Sequence, residues 1–124
     1  EPTSITDAYA ALKLVTIHDQ SIPISVIVNK AFDKNIGIST FERLNAVSKK
    51  FLKRELFMLG YIPDDRFVTR AVMEQTPFIL SYPRCLASKT IKELSSIFIK
   101  RSNVNEDRTE GSFVKKLFHF FFER

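Results

Sequence analysis

Two short apolar runs constrain the fold of this chain more than any other feature of its sequence. The runs Ile24–Val28 and Leu56–Ile62 are almost continuously apolar, and each ends abruptly at polar residues. Each is followed by a stretch with helical periodicity. Strands of this composition are typical of parallel sheets whose two faces are covered by helices. The sequence therefore predicts an α/β fold built from two strand–helix units.

Polar residues stand directly after both runs. Asn29 and Lys30 follow the first, and the second is followed by Pro63, Asp64 and Asp65. Because parallel strands present their carboxyl ends to one crevice, we expect these five residues to lie together around a ligand site. The glycine-rich phosphate loop that usually shares such a crevice does not occur in the sequence, so we expect the chain to begin inside a larger fold.

Capping signals predict where the first two helices begin. Thr3 or Ser4 is expected to cap the first helix, which ends before Ser21–Pro23. Residues 33–38 are expected to form a loop. The spacing of Ser39–Glu42 is that of a capping box, so it is expected to open the second helix.

The second half of the chain predicts two further helices and an extended segment. Asp64 or Asp65 can cap a short helix that ends at Pro77, which is an alternative to ligand contact for these carboxylates. Residues 78–82 are expected to be extended and could form a third strand. A last core helix is expected after Pro83.

The C-terminal residues differ from the rest in composition. Residues 101–111 are polar and charged without periodicity, which predicts a tether. Residues 112–124 fit an amphipathic helix whose apolar side chains fill an arc of about 200°. This helix could lie on anionic lipid, or dock on its own domain, on a second copy or on a partner. The residues expected to contact a membrane are Phe113, Lys115, Lys116, Leu117, Phe118, Phe120 and Phe121.

Length, charge and cysteine content narrow the class of protein. At 124 residues the chain is one domain or part of one, and its formal charge of +5 suits an anionic surface or ligand. Cys85 is the only cysteine, so an internal disulfide is impossible and a cytosolic setting is expected. His18 and His119 have no Cys near them in sequence, so no metal site is expected.

The order of several motifs is similar to that of a known family. Glu1–Ala10 closely resembles a segment of the flagellar MinD-like ATPases of the FlhG/YlxH type. The resemblance extends over roughly residues 1–100 and implies the C-terminal half of a three-layer, parallel-sheet P-loop fold of the MinD/ParA group. The later motifs that carry it are Val28-Asn29-Lys30, Leu59–Asp64, Ala71-Val72 with Gln75 and Pro77, and Tyr82-Pro83.

The resemblance also implies a role for the polar residues after the strands. Asn29 would read the adenine edge, which agrees with the donor and acceptor of its amide, although an Asn can also simply end a strand. Lys30 stands where the family has Arg and lacks the planar guanidinium. Pro63, Asp64 and Asp65 would lie on the other side of the base. The intact protein would use ATP and Mg²⁺, but this chain alone is expected neither to bind them tightly nor to catalyse hydrolysis.

The function implied is ATP-dependent regulation of flagellar number or placement. The implied partners are a second copy in a homodimer, a signal-recognition-type flagellar GTPase, flagellar switch proteins and an anionic membrane surface, with the protein peripheral on the inner face of the cell membrane. Nucleic acid is not expected as a partner. The alternatives are a non-enzymatic module that docks on proteins through its Phe-rich helix and a fragment of a ParA-like DNA-partitioning ATPase.

Overall fold

The computed structural model describes residues 2–104, in which helices and strands alternate up to β2 and three helices follow. The fold is mixed α/β, as predicted. Its elements in chain order are α1 (Pro2–His18), β1 (Ser25–Ala31), α2 (Lys34–Leu52), β2 (Phe57–Pro63), α3 (Arg66–Met73), α4 (Phe78–Ser81) and α5 (Leu86–Val104).

The two strands pair in parallel, which confirms the two strand–helix units. Ser25 lies beside Phe57, and Val28 lies beside Tyr61. The register shifts between Val26 and Ile27 and again between Val28 and Ala31. Within residues 2–104 the sheet has these two strands alone, so the larger three-layer sheet stays a prediction.

Helix α2 packs on one face of the sheet and α1 packs against α2, around a small apolar core. Leu12 of α1, Leu44 of α2 and Leu56 before β2 form its buried centre. Burial of each such side chain contributes about 1.5–3 kcal/mol. The partly buried side chains around this centre are Ile5, Ala8, Tyr9, Ile24, Val26, Phe41 and Leu52.

Helix α5 packs on the opposite face, against β2. A Cβ atom added to Gly60 would meet the side chain of Leu94, so glycine is what allows α5 to approach the strand this closely. Tyr61 points the other way, toward Gly37 of α2. On the α5 face, Ile27 of β1 keeps 44% of its surface exposed, so this helix covers β2 better than β1.

Two helix starts differ from the prediction. Helix α1 already includes Thr3 and Ser4, so neither is its cap. Helix α2 begins at Lys34, because the carboxylate of Asp33 accepts a hydrogen bond from the backbone N–H of Ile36 at 2.9 Å. The predicted loop 33–38 is therefore wrong. The predicted capping box Ser39–Glu42 lies inside the helix, since an upstream Asp cap already satisfies the first turn.

The segment after α3 also differs from the prediction. Residues 78–81 form the single turn α4 rather than an extended segment, because the carbonyl of Pro77 accepts from the N–H groups of Leu80 and Ser81. Helix α3 ends at Met73, before the expected stop at Pro77. Helix α5 continues to Val104, into the segment expected to be a tether. The predicted amphipathic helix 112–124 lies outside the described residues.

Candidate functional site

One cavity of about 110 Å³ lies at the carboxyl ends of β1 and β2. All five residues that the sequence placed at this crevice line it, and they share it with side chains from α3, α4 and α5. The predicted members are Asn29, Lys30, Pro63, Asp64 and Asp65, and the others are Ile62, Val68, Thr69, Phe78 and Ile91.

Asn29 and Lys30 belong to the last part of β1 instead of following it. The strand continues to Ala31, which is 2% exposed and whose carbonyl accepts from the N–H of Asp64 at 3.0 Å. This bond ties the two strand ends together beside the cavity. Lys30 has a φ of 54°, in the left-handed region, and its N–H donates to Asn29 Oδ1 at 2.9 Å. Both side chains are exposed at the cavity rim.

The hydrogen bond within this pair decides what Asn29 can offer a ligand. Its amide oxygen already accepts from the Lys30 N–H. Its Nδ2 group makes no hydrogen bond within residues 2–104, so two N–H donors are available there. Lys30 adds an ammonium that forms no ion pair in the described part of the chain. The β1 side of the cavity therefore presents donors.

Asp65 closes the opposite side of the cavity with both carboxylate oxygens in use. Oδ1 accepts from the N–H of Phe67 at 2.9 Å and caps α3, while Oδ2 accepts from the N–H of Ala87 at 3.0 Å in the first turn of α5. The Ala87 N–H is the main reason that the pKa of Asp65 lies below its ordinary value, since it stabilises the charged form. The capping prediction is confirmed for this residue.

The carboxylate of Asp64, unlike that of Asp65, is not used to hold the fold together. Its side chain is exposed, and its carboxylate makes neither a hydrogen bond nor an ion pair within the described residues. Its backbone is fixed by the bond to Ala31. Asp64 therefore supplies a free acceptor about a cavity whose β1 side supplies free donors.

The apolar wall of the cavity was not predicted from the sequence. Val68 and Thr69 follow Asp65 by one turn of α3, so the Asp65 cap itself could have indicated them. Phe78 was expected in an extended segment and instead reaches the cavity from α4. Ile91 belongs to the apolar stripe predicted for α5, and nothing in that stripe distinguishes a cavity residue from a core residue.

Size and lining together limit what the cavity can hold. Pockets for drug-sized ligands usually measure about 300–1,000 Å³, so this one has room for a single flat group rather than a large ligand. Ile62, Val68, Phe78 and Ile91 offer apolar contacts to the faces of such a group. The polar rim can pair with hydrogen-bonding groups along its edge.

A second depression lies on α3 and shares no lining residue with the first. Arg66 and Arg70 lie over the ring of Phe67, with guanidinium carbons 5.2 and 6.0 Å from its centroid. Tyr82 packs against the same ring and donates to the Glu74 carboxylate at 2.7 Å, which raises the pKa of Tyr82. This surface is basic and was not predicted as a site.

Residues 2–104 lack two features that would point to other functions. No cluster of three or more His, Cys, Asp or Glu side chains has the geometry of a metal site in this part of the chain. None of the helices there combines the length and apolar character needed to cross a bilayer. The residues predicted to contact a membrane, from Phe113 to Phe121, lie outside the described part.

A known protein of similar sequence supports the resemblance seen in the motifs. No protein-family model matches the chain. Over 95 residues, which are 77% of the chain, it is 37% identical to the antiactivator FleN of Pseudomonas aeruginosa strain PAO1. The match covers 34% of FleN, so the chain spans about a third of the length of this relative. The similarity to FleN supports an FlhG-like relative, in agreement with the resemblance seen in the motifs.

Proposed function

We propose that this chain forms the adenine-binding side of a nucleotide site in an ATP-dependent regulator of flagellar number or placement. The observation that carries the proposal is the cavity that brings Asn29 and Lys30 of β1 together with Pro63, Asp64 and Asp65 after β2. The similarity to FleN, an antiactivator, supports the regulatory part of the proposal.

The lining of the cavity would suit an adenine base. The base is flat, and its two faces would lie against Ile62 and Phe78 on the apolar wall. The Asn29 amide nitrogen would donate to N1 of the base, which is an acceptor in adenine and an N–H donor in guanine. The free carboxylate of Asp64 could accept from the exocyclic amine. Asp65 holds the wall in place through its two caps instead of contacting the base.

A site with Lys30 would contact the base differently from a site with arginine at the same position. A guanidinium can stack flat on a base, whereas an ammonium acts as a compact point charge with three donors. In the proposed complex Lys30 contributes charge at the rim and does not cover a face of the base. The apolar residues of α3, α4 and α5 then supply most of the contact with the ring.

The activity and partners of a whole protein are a broader proposal. ATP with Mg²⁺ would bind where this adenine side meets a phosphate-binding half, and nucleotide binding would favour a homodimer. A signal-recognition-type flagellar GTPase and flagellar switch proteins are the proposed protein partners. Residues 112–124 would bring the protein to the inner face of the cell membrane, with Lys115 and Lys116 facing anionic headgroups.

Base selectivity in the absence of phosphate tests the adenine proposal. Adenosine and guanosine are titrated separately into the ¹⁵N-labelled chain, and amide shifts are followed by NMR. We expect adenosine to perturb the amides around Asn29 and Asp64 with a Kd on the order of 1 mM, since only the base and ribose are bound. Guanosine places a carbonyl where adenosine has an amine, so it should bind more weakly.

Substitutions of two asparagines test whether the Asn29 side chain sets the preference for adenosine. Asn29→Ala removes the donor and should abolish the preference for adenosine. Asn35→Ala alters an exposed asparagine of α2 that does not line the cavity, and it should leave the preference unchanged. Equal affinity for the two nucleosides, or an unaltered preference in Asn29→Ala, would refute adenine recognition and favour a module that only docks on proteins.

A further inference from the structure

The backbone at Lys30 adopts an unusual conformation for its position. Three residues other than glycine in the described part of the chain have positive φ, namely Lys30, Lys53 and Gln75. Lys53 is the C-cap of α2, where left-handed backbone commonly ends a helix, and Gln75 follows the C-cap of α3. Lys30 instead lies within β1, where this conformation disfavours regular pairing.

The conformation coincides with a break in the strand pairing. The register between β1 and β2 shifts between Val28 and Ala31, which brackets Asn29 and Lys30. Consecutive side chains of a regular strand point to opposite faces of the sheet. Asn29 and Lys30 nevertheless line the same cavity. Irregularities of this kind bend a strand and redirect a side chain, and they are common beside functional sites.

The same turn of the backbone fixes the orientation of the Asn29 amide. The Lys30 N–H points back to Asn29 Oδ1 and donates to it at 2.9 Å. With the oxygen held in this way, the amide nitrogen is the end of Asn29 that remains for a ligand. This local bond requires the backbone of Lys30 and does not involve its ammonium.

We propose that Lys30 is a positioning residue for the nucleoside site, because its left-handed backbone orients the Asn29 side chain in the cavity. The inference rests on the proposed function and identifies what sets its base preference. It separates two contributions of one residue, since the backbone directs Asn29 while the ammonium adds charge at the rim.

Substitutions at Lys30 can vary the backbone and the side chain independently. Lys30→Gly removes the ammonium but adopts positive φ readily, so it should keep more of the preference for adenosine over guanosine than a β-branched residue does. Lys30→Val is β-branched and resists positive φ, so adenosine affinity should fall about tenfold, as expected for the loss of one well-placed hydrogen bond. Lys30→Gly behaving like Lys30→Val would overturn the proposal, because the ammonium would then be the important group.

Lys53 offers a matched control elsewhere in the fold. It has a φ of 55°, almost the value of Lys30, but it ends α2 and does not line the cavity. Lys53→Val should lower the melting temperature as Lys30→Val does and leave the nucleoside preference intact. Equal loss of preference in the two valine variants would mean that general destabilisation explains both, and the positioning role would be refuted.

The side-chain NMR signals of Asn29 decide the inference even if the nucleosides fail to bind. The Nδ2 proton resonances should keep their shifts in Lys30→Gly and Lys53→Val and move in Lys30→Val. Unchanged Asn29 resonances in Lys30→Val would show that the backbone does not orient the amide. Failure of the wild-type chain to distinguish the nucleosides would instead refute adenine binding and leave this spectroscopic outcome to stand by itself.

Discussion

At the scale of single residues, Asp65 joins parts of the chain that are distant in sequence. Its two oxygens accept from the N–H groups of Phe67 and Ala87, so one carboxylate caps α3 and holds the start of α5. Both bonds favour the charged form and lower the pKa of Asp65. A lowered pKa in the folded state means that the carboxylate contributes stability at neutral pH.

Asp65→Asn should therefore reduce the free energy of unfolding by about 1–2 kcal/mol at pH 7, because the amide has one oxygen for two N–H donors. The contribution of Asp65 is present above the ordinary Asp pKa of about 4 and is lost as the pH falls through the lowered folded value. The difference between wild type and variant should thus shrink on acidification. Urea denaturation at a series of pH values measures it.

Asp64→Asn is the matched control for this measurement. Its carboxylate is exposed and makes no bond within the described residues, so the substitution should change the free energy of unfolding by less than about 0.5 kcal/mol. An equal loss in the two variants, or a difference that grows toward acidic pH, would contradict the double-cap role of Asp65.

The polar side of the site could be predicted from the sequence and its apolar side could not, and the reason is physical. Asn29 and Asp64 could be placed together because parallel strand ends always meet at one edge of a sheet. Phe78 and Ile91 could not, because their positions depend on how α4 and α5 pack. Local patterns carry no information about such packing. The membrane residues and the nucleotide contact itself stay predictions.

At the scale of elements, the close approach of α5 to β2 depends on Gly60. A methyl group at this position would meet the end of the Leu94 side chain, which is 7% exposed. Gly60→Ala should destabilise the chain by about 1–3 kcal/mol through overpacking. Leu94→Ala should also destabilise it, by about 2–5 kcal/mol, because it leaves a cavity between the helix and the strand.

The double variant tests whether these two residues share one space. The methyl of Gly60→Ala would partly fill the space left by Leu94→Ala, so the combined loss should be smaller than the sum by at least about 0.5 kcal/mol. Denaturation of the four proteins in one double-mutant cycle gives this coupling. Additive losses would show that the methyl and Leu94 do not compete for the same volume.

Element boundaries illustrate where local signals compete. The Ser39–Glu42 pattern is a valid capping box by spacing, yet Asp33 caps the helix first. Gly37 favoured a loop in the sequence, but it is buried in α2 where it accommodates Tyr61. Tertiary packing therefore explains a glycine that helix propensity disfavours.

At the scale of the whole molecule, charge and the Phe-rich terminus bear on membrane attachment. We expect the chain to sediment with vesicles containing anionic phospholipid more than with neutral vesicles, given its formal charge of +5 and its C-terminal lysines. Phe121→Asp should abolish this binding, because it places a charge on the proposed lipid-facing side. Co-sedimentation measures the bound fraction.

Phe32→Asp is the control, since Phe32 is 84% exposed between β1 and α2 and is therefore an accessible apolar side chain away from the terminus. It should leave vesicle binding unchanged. Similar losses for Phe32→Asp and Phe121→Asp would point to general surface hydrophobicity. Retention of binding by Phe121→Asp would contradict the membrane proposal, and strong salt-dependent binding to DNA would favour the DNA-partitioning alternative.

The second cap of Asp65 also bears on how firmly α5 is held in the fold. The helix is anchored at the cavity through Ala87 and runs as a rod about 28 Å long to Val104, beyond which the chain continues to its Phe-rich residues. Leu94, farther along the helix, lies against Gly60 of β2, so α5 is held at two places in its first half, once by a cap and once by the sheet. Asp65 therefore fixes where α5 begins at the cavity, and β2 fixes the direction in which it runs.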